Sequence, residues 1–294
     1  MRVSTAGMFQ RNIELLQSQQ SRDNAALERL ATNQRINRPS DDPQGAARVI
    51  ELTQAQVRSE QYASSRMAAT SALMLQESAL ADLTDTLHSA RSLLVQAGNG
   101  ALDSATVAGL GEQLSVLVDR IEDTLRTRDA DGNYLFSGQQ GTADPLGDGA
   151  DAEPRSYRID DGLTIDGPVN RDQLMSPAGE DGPDLVEWLR EVADGLMAGD
   201  VDVISDTALA DLDAGLDNVL GIRALGGSRL NQLERLDELS SDRAVSRQDE
   251  ISGLRDVDYA QALSEAAMTS LALEVAMRSI AQSQQLSMFD LLNG

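Results

Sequence analysis

The 294-residue chain has no cysteine, which excludes disulfides, thiolate metal sites and cysteine nucleophiles. It has one histidine, His88, inside a long helical pattern, so the usual hydrolase triads and zinc sites lack their parts. Lysine is absent too: all 24 basic residues are arginine, and the composition offers no physical account of this. Aromatic residues make up 3% of the chain against 41% hydrophobic residues. The interior must therefore be aliphatic, which suits helices packing on helices better than a sheet sandwich. No apolar run approaches the roughly 20 residues needed to span a bilayer. The N-terminal "MRVSTAGMFQRNIELLQSQQ" lacks the apolar stretch of a secretory signal, so export would have to use another route.

What is abundant is negative charge. The formal net charge is −24, and residues 129–220 hold 22 acidic and 4 basic side chains, a net of −18. Such a polyanion repels nucleic acid and anionic lipid, so neither is expected as a partner. The plain reading of the acidity is a solvated surface.

Residues 4 to about 33 are helical in pattern, with Ile13, Leu16, Leu27 and Leu30 at compatible spacing. Then "RINRPSDDPQGAAR", residues 35–48, interrupts it. Pro39 and Pro43 push Arg38 and Asp42 away from helical dihedrals. Ser40 or Asp42 can cap a new helix, and with Asp42 as the cap Pro43 takes the first helical position. A long helix follows to about Gln96, and another spans about 104–127. "DADGNYLFSGQ" gives a turn beside a short strand. Residues 141–183 are rich in Gly, Pro and Asp, with strand candidates at 156–159 and 163–165. They read as a small, outward, independently packed β insert. Helix returns at 185–197, from about 203 to 253, and from about 258 to 292.

Long helices flanking a central insert describe a chain that goes out and comes back. The expected fold is mainly α: a long antiparallel, coiled-coil-like rod made by the N- and C-terminal halves, with the β-rich insert at its tip. In the last helix Leu263, Ala267, Leu271 and Val275 lie on one side and Leu273, Met277 and Ile280 on an adjoining one. Their arc is roughly 200°, wider than the ~100° one core requires. The N-terminal helix can cover part of it, and other subunits the rest.

Residues 129–140 begin like a calcium loop, but Tyr134 occupies the turn glycine position and Gln140 the final acid. Neighbouring carboxylates such as Asp160 and Asp161 are expected by composition in so acidic a segment. No glycine pattern cradles a phosphate. Neither an enzyme nor a cofactor is expected.

The break at 35–48 resembles that of the flagellin superfamily, and its "PSDDP" is similar to the hook–filament junction branch. "GNYLFSG" at 132–138, "SRLNQLERLDE" at 228–238 and "DVDYAQALSEAAMTSLALEVAMRSIAQSQQLSMFDLL" at 256–292 resemble further segments of that branch, in the same order. The resemblance spans about the first 140 and last 90 residues and omits the insert. It implies a structural adaptor, exported through the flagellar channel with a chaperone. The adaptor would self-assemble as a layer between a hook-side junction protein and the flagellin filament; a short flagellin, the filament subunit itself, is the alternative. Residues 1–40 with 256–294 would form an inner coiled-coil domain, 41–140 with 184–255 a helical domain, and 141–183 the outer insert. The implied assembly interface comprises Ile13, Leu16, Leu27, Leu30, Leu263, Leu271, Val275, Ile280, Leu286 and Phe289. Pro39, Ser40, Asp41, Asp42 and Pro43 would be the inter-domain joint.

Overall fold

The structure, a computed structural model, describes residues 2–98, 102–147, 153–176, 184–204 and 208–292, with backbone alone for 2–6, 8, 9 and 283–292. The fold is mainly α. The helices are α1 (Arg2–Thr32), α2 (Pro43–Ala97), α3 (Ser104–Leu125), α4 (Arg171–Met175), α5 (Leu185–Met197), α6 (Ala208–Arg255) and α7 (Tyr259–Leu292). One antiparallel hairpin, β1 (Ser156–Asp160) with β2 (Leu163–Asp166), lies between α3 and α4. The chain divides into two compact units, residues 1–58 with 242–294 and residues 59–241, so the division falls within α2 and α6.

Helix starts follow the local chemistry of the sequence. The Asp42 Oδ1 atom accepts from the Gly45 amide at 2.9 Å, and Pro43 opens α2 where its missing N–H leaves no carbonyl unpaired. Asp184 caps α5 by accepting from the amides of Val186 (2.9 Å) and Glu187 (3.1 Å). Asp258 does the same for α7 through Ala260 and Gln261. The five-residue α4 was not foreseen; its Asn170 cap accepts from the Gln173 amide at 2.8 Å.

The core of residues 59–241 is aliphatic, as the shortage of aromatics requires. Leu80, Leu83, Leu87 and Leu94 of α2 meet Leu114, Val118, Ile121 and Leu125 of α3, with Leu189 and Leu196 of α5 and Leu212 and Val219 of α6. Their three- and four-residue spacing puts each set on one helix face. At Gly111 a Cβ would stand 2.5 Å from the Met197 amide nitrogen, so α3 and α5 approach closer than any side chain would allow. Phe136 is buried beside them. The Arg128–Tyr134 bridge closes the turn of residues 129–133. Within that turn Asp129 accepts from the amides of Asp131 and Asn133 and pairs with Arg155.

The insert does not pack by itself, contrary to the sequence expectation. Ile159 of β1 and Ile165 of β2 are buried against Ala69 and Leu73 of α2 and Leu233 of α6. A hairpin of two short strands cannot bury its apolar side alone. The β1–β2 register shifts between Arg158 and Asp160, leaving Ile159 without a strand partner. The Ile159 carbonyl instead accepts from the Arg66 guanidinium at 3.0 Å. Arg66 also pairs with Asp237 at 2.9 Å, so one buried arginine ties β1 to both helices. Further along, Gln76 accepts from the Val169 amide at 2.8 Å and Arg229 donates to the Gly167 carbonyl at 3.1 Å.

Candidate functional site

Two features of the unit formed by residues 1–58 and 242–294 draw together the residues singled out from sequence: the break between α1 and α2, and the α1–α7 pair.

The break is a built joint. Asn33 ends α1 with φ of 55°, a left-handed conformation that asparagine tolerates and that stops a helix. The chain then runs antiparallel to the short connection between α6 and α7. The Arg35 amide donates to the Arg255 carbonyl at 2.6 Å, the Val257 amide to the Asn33 carbonyl at 3.2 Å, and Gln34 bridges Asp256. Both chain crossings thus change helix beside each other. Pro39 and Ser40 sit in an exposed turn closed by the Asp41 amide on the Arg38 carbonyl. The Asp41 Oδ2 atom accepts from the amides of Asn37 (3.1 Å) and Arg38 (2.9 Å). Arg35 spans the joint, donating to the Leu254 carbonyl at 2.7 Å and to the Asp42 carboxylate at 3.2 Å. The Gly45 amide, and then the Arg35 guanidinium, hold the Asp42 carboxyl below the ordinary aspartate range against the opposing effect of burial. The five residues named from sequence as an inter-domain joint, Pro39 to Pro43, all lie in this break, which falls inside the unit of residues 1–58 and 242–294. Arg35, Asn33 and the 254–257 connection were missed, because the pairing is between segments over 200 residues apart.

Helices α1 and α7 run antiparallel. Thr269 Oγ1 donates to Asp23 Oδ1 at 3.2 Å, Gln19 Nε2 donates to the Thr269 carbonyl at 3.4 Å, and Arg29 pairs with Glu265 at 3.5 Å. The buried and half-buried positions of α7 fall on a three-four alternation, Ala262, Ala266, Thr269, Leu273, Ala276 and Ile280, and in α1 the same alternation runs through Asn12, Leu16, Gln19, Asp23, Ala26 and Leu30, with Ala25, Glu28 and Arg29 half-buried beside it. That is the heptad seam of a two-stranded coiled coil. Its composition is unusual: alanine fills four of the twelve positions, and Asn, Gln, Asp and Thr another four.

The larger aliphatic side chains point elsewhere. Leu271 is 61% exposed, Val275 57%, Leu263 51%, Leu27 48% and Ile13 38%, and Leu15 and Met268 are also exposed. Of the predicted interface residues, Leu16, Leu30 and Ile280 therefore line the internal seam, whereas Ile13, Leu27, Leu263, Leu271 and Val275 face outward. Leu286 and Phe289 lie outside the described side chains. A shallow groove beside the seam is lined by Leu15 and Gln19 of α1 and by Met268, Leu271, Val275 and Ser279 of α7. Among the described residues no group of His, Cys, Asp or Glu is placed to hold a metal ion.

The family model for the bacterial flagellin N-terminal helical region matches residues 3–141. The chain is 31% identical to flagellar hook-associated protein 3 of Escherichia coli, covering 99% of each. The chain belongs to the flagellar hook-associated protein 3 family. The protein of that name from Salmonella typhimurium is 29% identical over 99% of both chains. A crystal structure of flagellar hook-associated protein 3 from Legionella pneumophila, 17% identical, covers 70% of this chain and 98% of its own with a TM-score of 0.63; at that identity the likeness concerns the fold. Members of the hook-associated protein 3 family are structural parts of the bacterial flagellum, and this chain is one of them. The family model spans α1 and the break after it, and the likeness to the Escherichia coli protein takes in α7 as well.

Proposed function

We propose that this protein assembles as a layer of identical subunits joining the hook to the filament. One observation carries the reading: most of the positions that α1 and α7 turn toward each other are small or polar, while Ile13, Leu27, Leu263, Leu271 and Val275 are left outward. Exposed Leu, Ile, Met and Val in such number are a surface waiting for cover. Neighbouring copies supply it through Ile13, Leu27, Leu263, Leu271 and Val275, a symmetric layer repeating the same contact at every subunit. Residues 1–40 and 256–294 form the inner part of the layer, the helical segments 41–140 and 184–255 the next shell, and 141–183 the outer face. The hook-side junction protein lies below the layer and flagellin above it. The subunit reaches its place outside the cell through the flagellar export channel, escorted by a chaperone. It carries out no catalysis; its work is mechanical.

Val275→Asp tests the interface. At 57% exposure an aspartate there costs the free subunit little, whereas the same charge buried between subunits costs several kcal/mol at each copy. Export and the melting temperature of the α2–α3–α5 core should stay unchanged while hooks lose their filaments in electron micrographs. Normal filaments on Val275→Asp flagella would remove this face from the interface. A strain lacking the protein separates the readings: bare hooks mark a junction protein, and loss of a subunit of filament abundance marks a flagellin.

A further inference from the structure

Asp23 is 8% exposed and lies in the seam between α1 and α7. Its one hydrogen bond among the described residues is accepted from the Thr269 hydroxyl. Around it the seam is alanine: Ala26 of α1 and Ala262 and Ala266 of α7 are all buried. A carboxylate in that position is an expensive choice unless it excludes something worse. The exclusion follows from the shape of α7. At 100° per residue, the seam positions Ala262, Ala266, Thr269 and Leu273 centre on one side of the helix. Ser264, Met268, Leu271 and Val275 centre about 160° away from them. Turned half about its own axis, α7 would therefore offer α1 a stripe with larger aliphatic side chains than the one it now offers. By area alone that arrangement is the better one, because burial scales with apolar surface. It would also hide the outward stripe inside the free subunit.

The bridge at Gln34–Asp256 and the Val257–Asn33 bond fix where α7 begins, and Asp258 alone lies between Val257 and its first residue, so a half turn of α7 would have to be taken up at that residue. Asp23 forbids that turn, since a turned α7 would set Met268 and Leu271 against the carboxylate and take Thr269 away. We infer that Asp23, through Thr269, selects which face of α7 packs on α1 and so keeps the aliphatic stripe free for a second copy of the chain. The selection stands on the seam geometry; only its purpose rests on the proposed assembly. Thr269 does not depend on Asp23 for its own bonding, because its hydroxyl also reaches the Ala266 carbonyl at 3.0 Å. Asp23 therefore specifies orientation more than it holds the pair together, a device known from buried polar residues in other coiled coils.

The absence of native cysteine makes the test clean. Two full-length double-cysteine proteins report the two faces in dilute free subunit: Ala26→Cys with Ala266→Cys for the observed face, and Ala26→Cys with Met268→Cys for the turned one. With Asp23 present, the first pair should oxidise at least about tenfold faster than the second, and Asp23→Leu should bring the ratio to within about threefold of one. Asp23→Asn, which still accepts from Thr269, should restore the wild-type ratio. Asp23→Ala is the second variant, needed if Asp23→Leu associates through its new aliphatic side chain. A ratio that stays at tenfold or above in both the Leu and Ala variants overturns the inference, as does loss of the preference in Asp23→Asn. These readouts need no flagellum, so they fail or succeed separately from the assembly reading.

Discussion

Removing the Arg66 side chain should show whether the insert is part of the helical core. Arg66 is 5% exposed and its partner Asp237 59%. In Arg66→Ala the exposed aspartate regains water, so breaking the ion pair as such costs little. The Ile159 carbonyl fares worse. Its residue is fully buried, it sits where the strand register shifts, and Arg66 is its donor at 3.0 Å. Leaving such an acceptor unpaired costs about 1–3 kcal/mol, and losing the packed aliphatic stem adds about 1 kcal/mol. The sum, about 2–4 kcal/mol, should lower the melting temperature of a unit this size by roughly 5–15 °C. Arg66→Met keeps the stem and should recover about the last 1 kcal/mol of that loss. Differential scanning calorimetry measures the melting shift, and proteolysis within 156–166 should accelerate in step. An unchanged melting temperature in Arg66→Ala, with an unchanged cleavage rate in the hairpin, would mean that the β1–β2 contact with α2 and α6 contributes nothing. Excising 142–183 is a harsher change: it uncovers Leu73 and Leu233 and also removes Val169, Leu174 and Met175 from the main core, and should destabilise it.

Three further outcomes concern the joint. Gly45→Ala would put a Cβ 2.6 Å from Asp42 Oδ2 and 2.7 Å from Ile36 Cδ1; a loss of about 1–3 kcal/mol follows, read as faster hydrogen exchange of the Gly45 and Ala46 amides. Arg35→Ala removes the donor to the Leu254 carbonyl and the cation facing Asp42, and should speed exchange of the Val257 amide on the opposite connection while leaving α3 and α5 protected. Because the Asp42 carboxyl is held below its ordinary value, its contribution is complete above that value and fades as pH falls through the lowered one. The Gly45 amide should therefore lose protection only in strong acid, and Asp42→Asn should remove that acid step. Loss of protection at near-neutral pH would contradict the assignment.

Much of this fold could be read from sequence because its helices begin and end on local signals. Asp42–Pro43, Asp184 and Asp258 announce helix starts whatever surrounds them, and α5 occupies the residues its pattern predicts. The strands of the insert were legible for the same reason. Their packing was not, although Ile159 and Ile165, projecting to one side of a two-stranded hairpin, already implied a surface to cover them. The seam between α1 and α7 was harder. Selecting large apolar residues picks out Ile13, Leu16, Leu27 and Leu30 together, yet Leu16 and Leu30 face inward while Ile13 and Leu27 face out. The discriminating signal is the three-four alternation through Asn12, Gln19, Asp23 and Ala26, which a search for hydrophobicity passes over.

That inversion connects the architecture to the proposed work of the molecule. A stable two-stranded coil keeps its largest aliphatics at the seam and its polar residues outside. Here the arrangement is reversed over much of α1 and α7, so the pair is a weak coil by itself and a favourable one once its outer faces are covered. At its root the pair relies on backbone hydrogen bonds between 33–35 and 255–257, and on Arg35, none of which require aliphatic burial. A unit anchored at the joint and under-stabilised along the seam holds its ends in reach of each other without consuming the surface they must offer to neighbours. Filling the seam with leucine at Ala26, Ala262 and Ala266 would strengthen the free pair at the expense of the very contacts that make a layer.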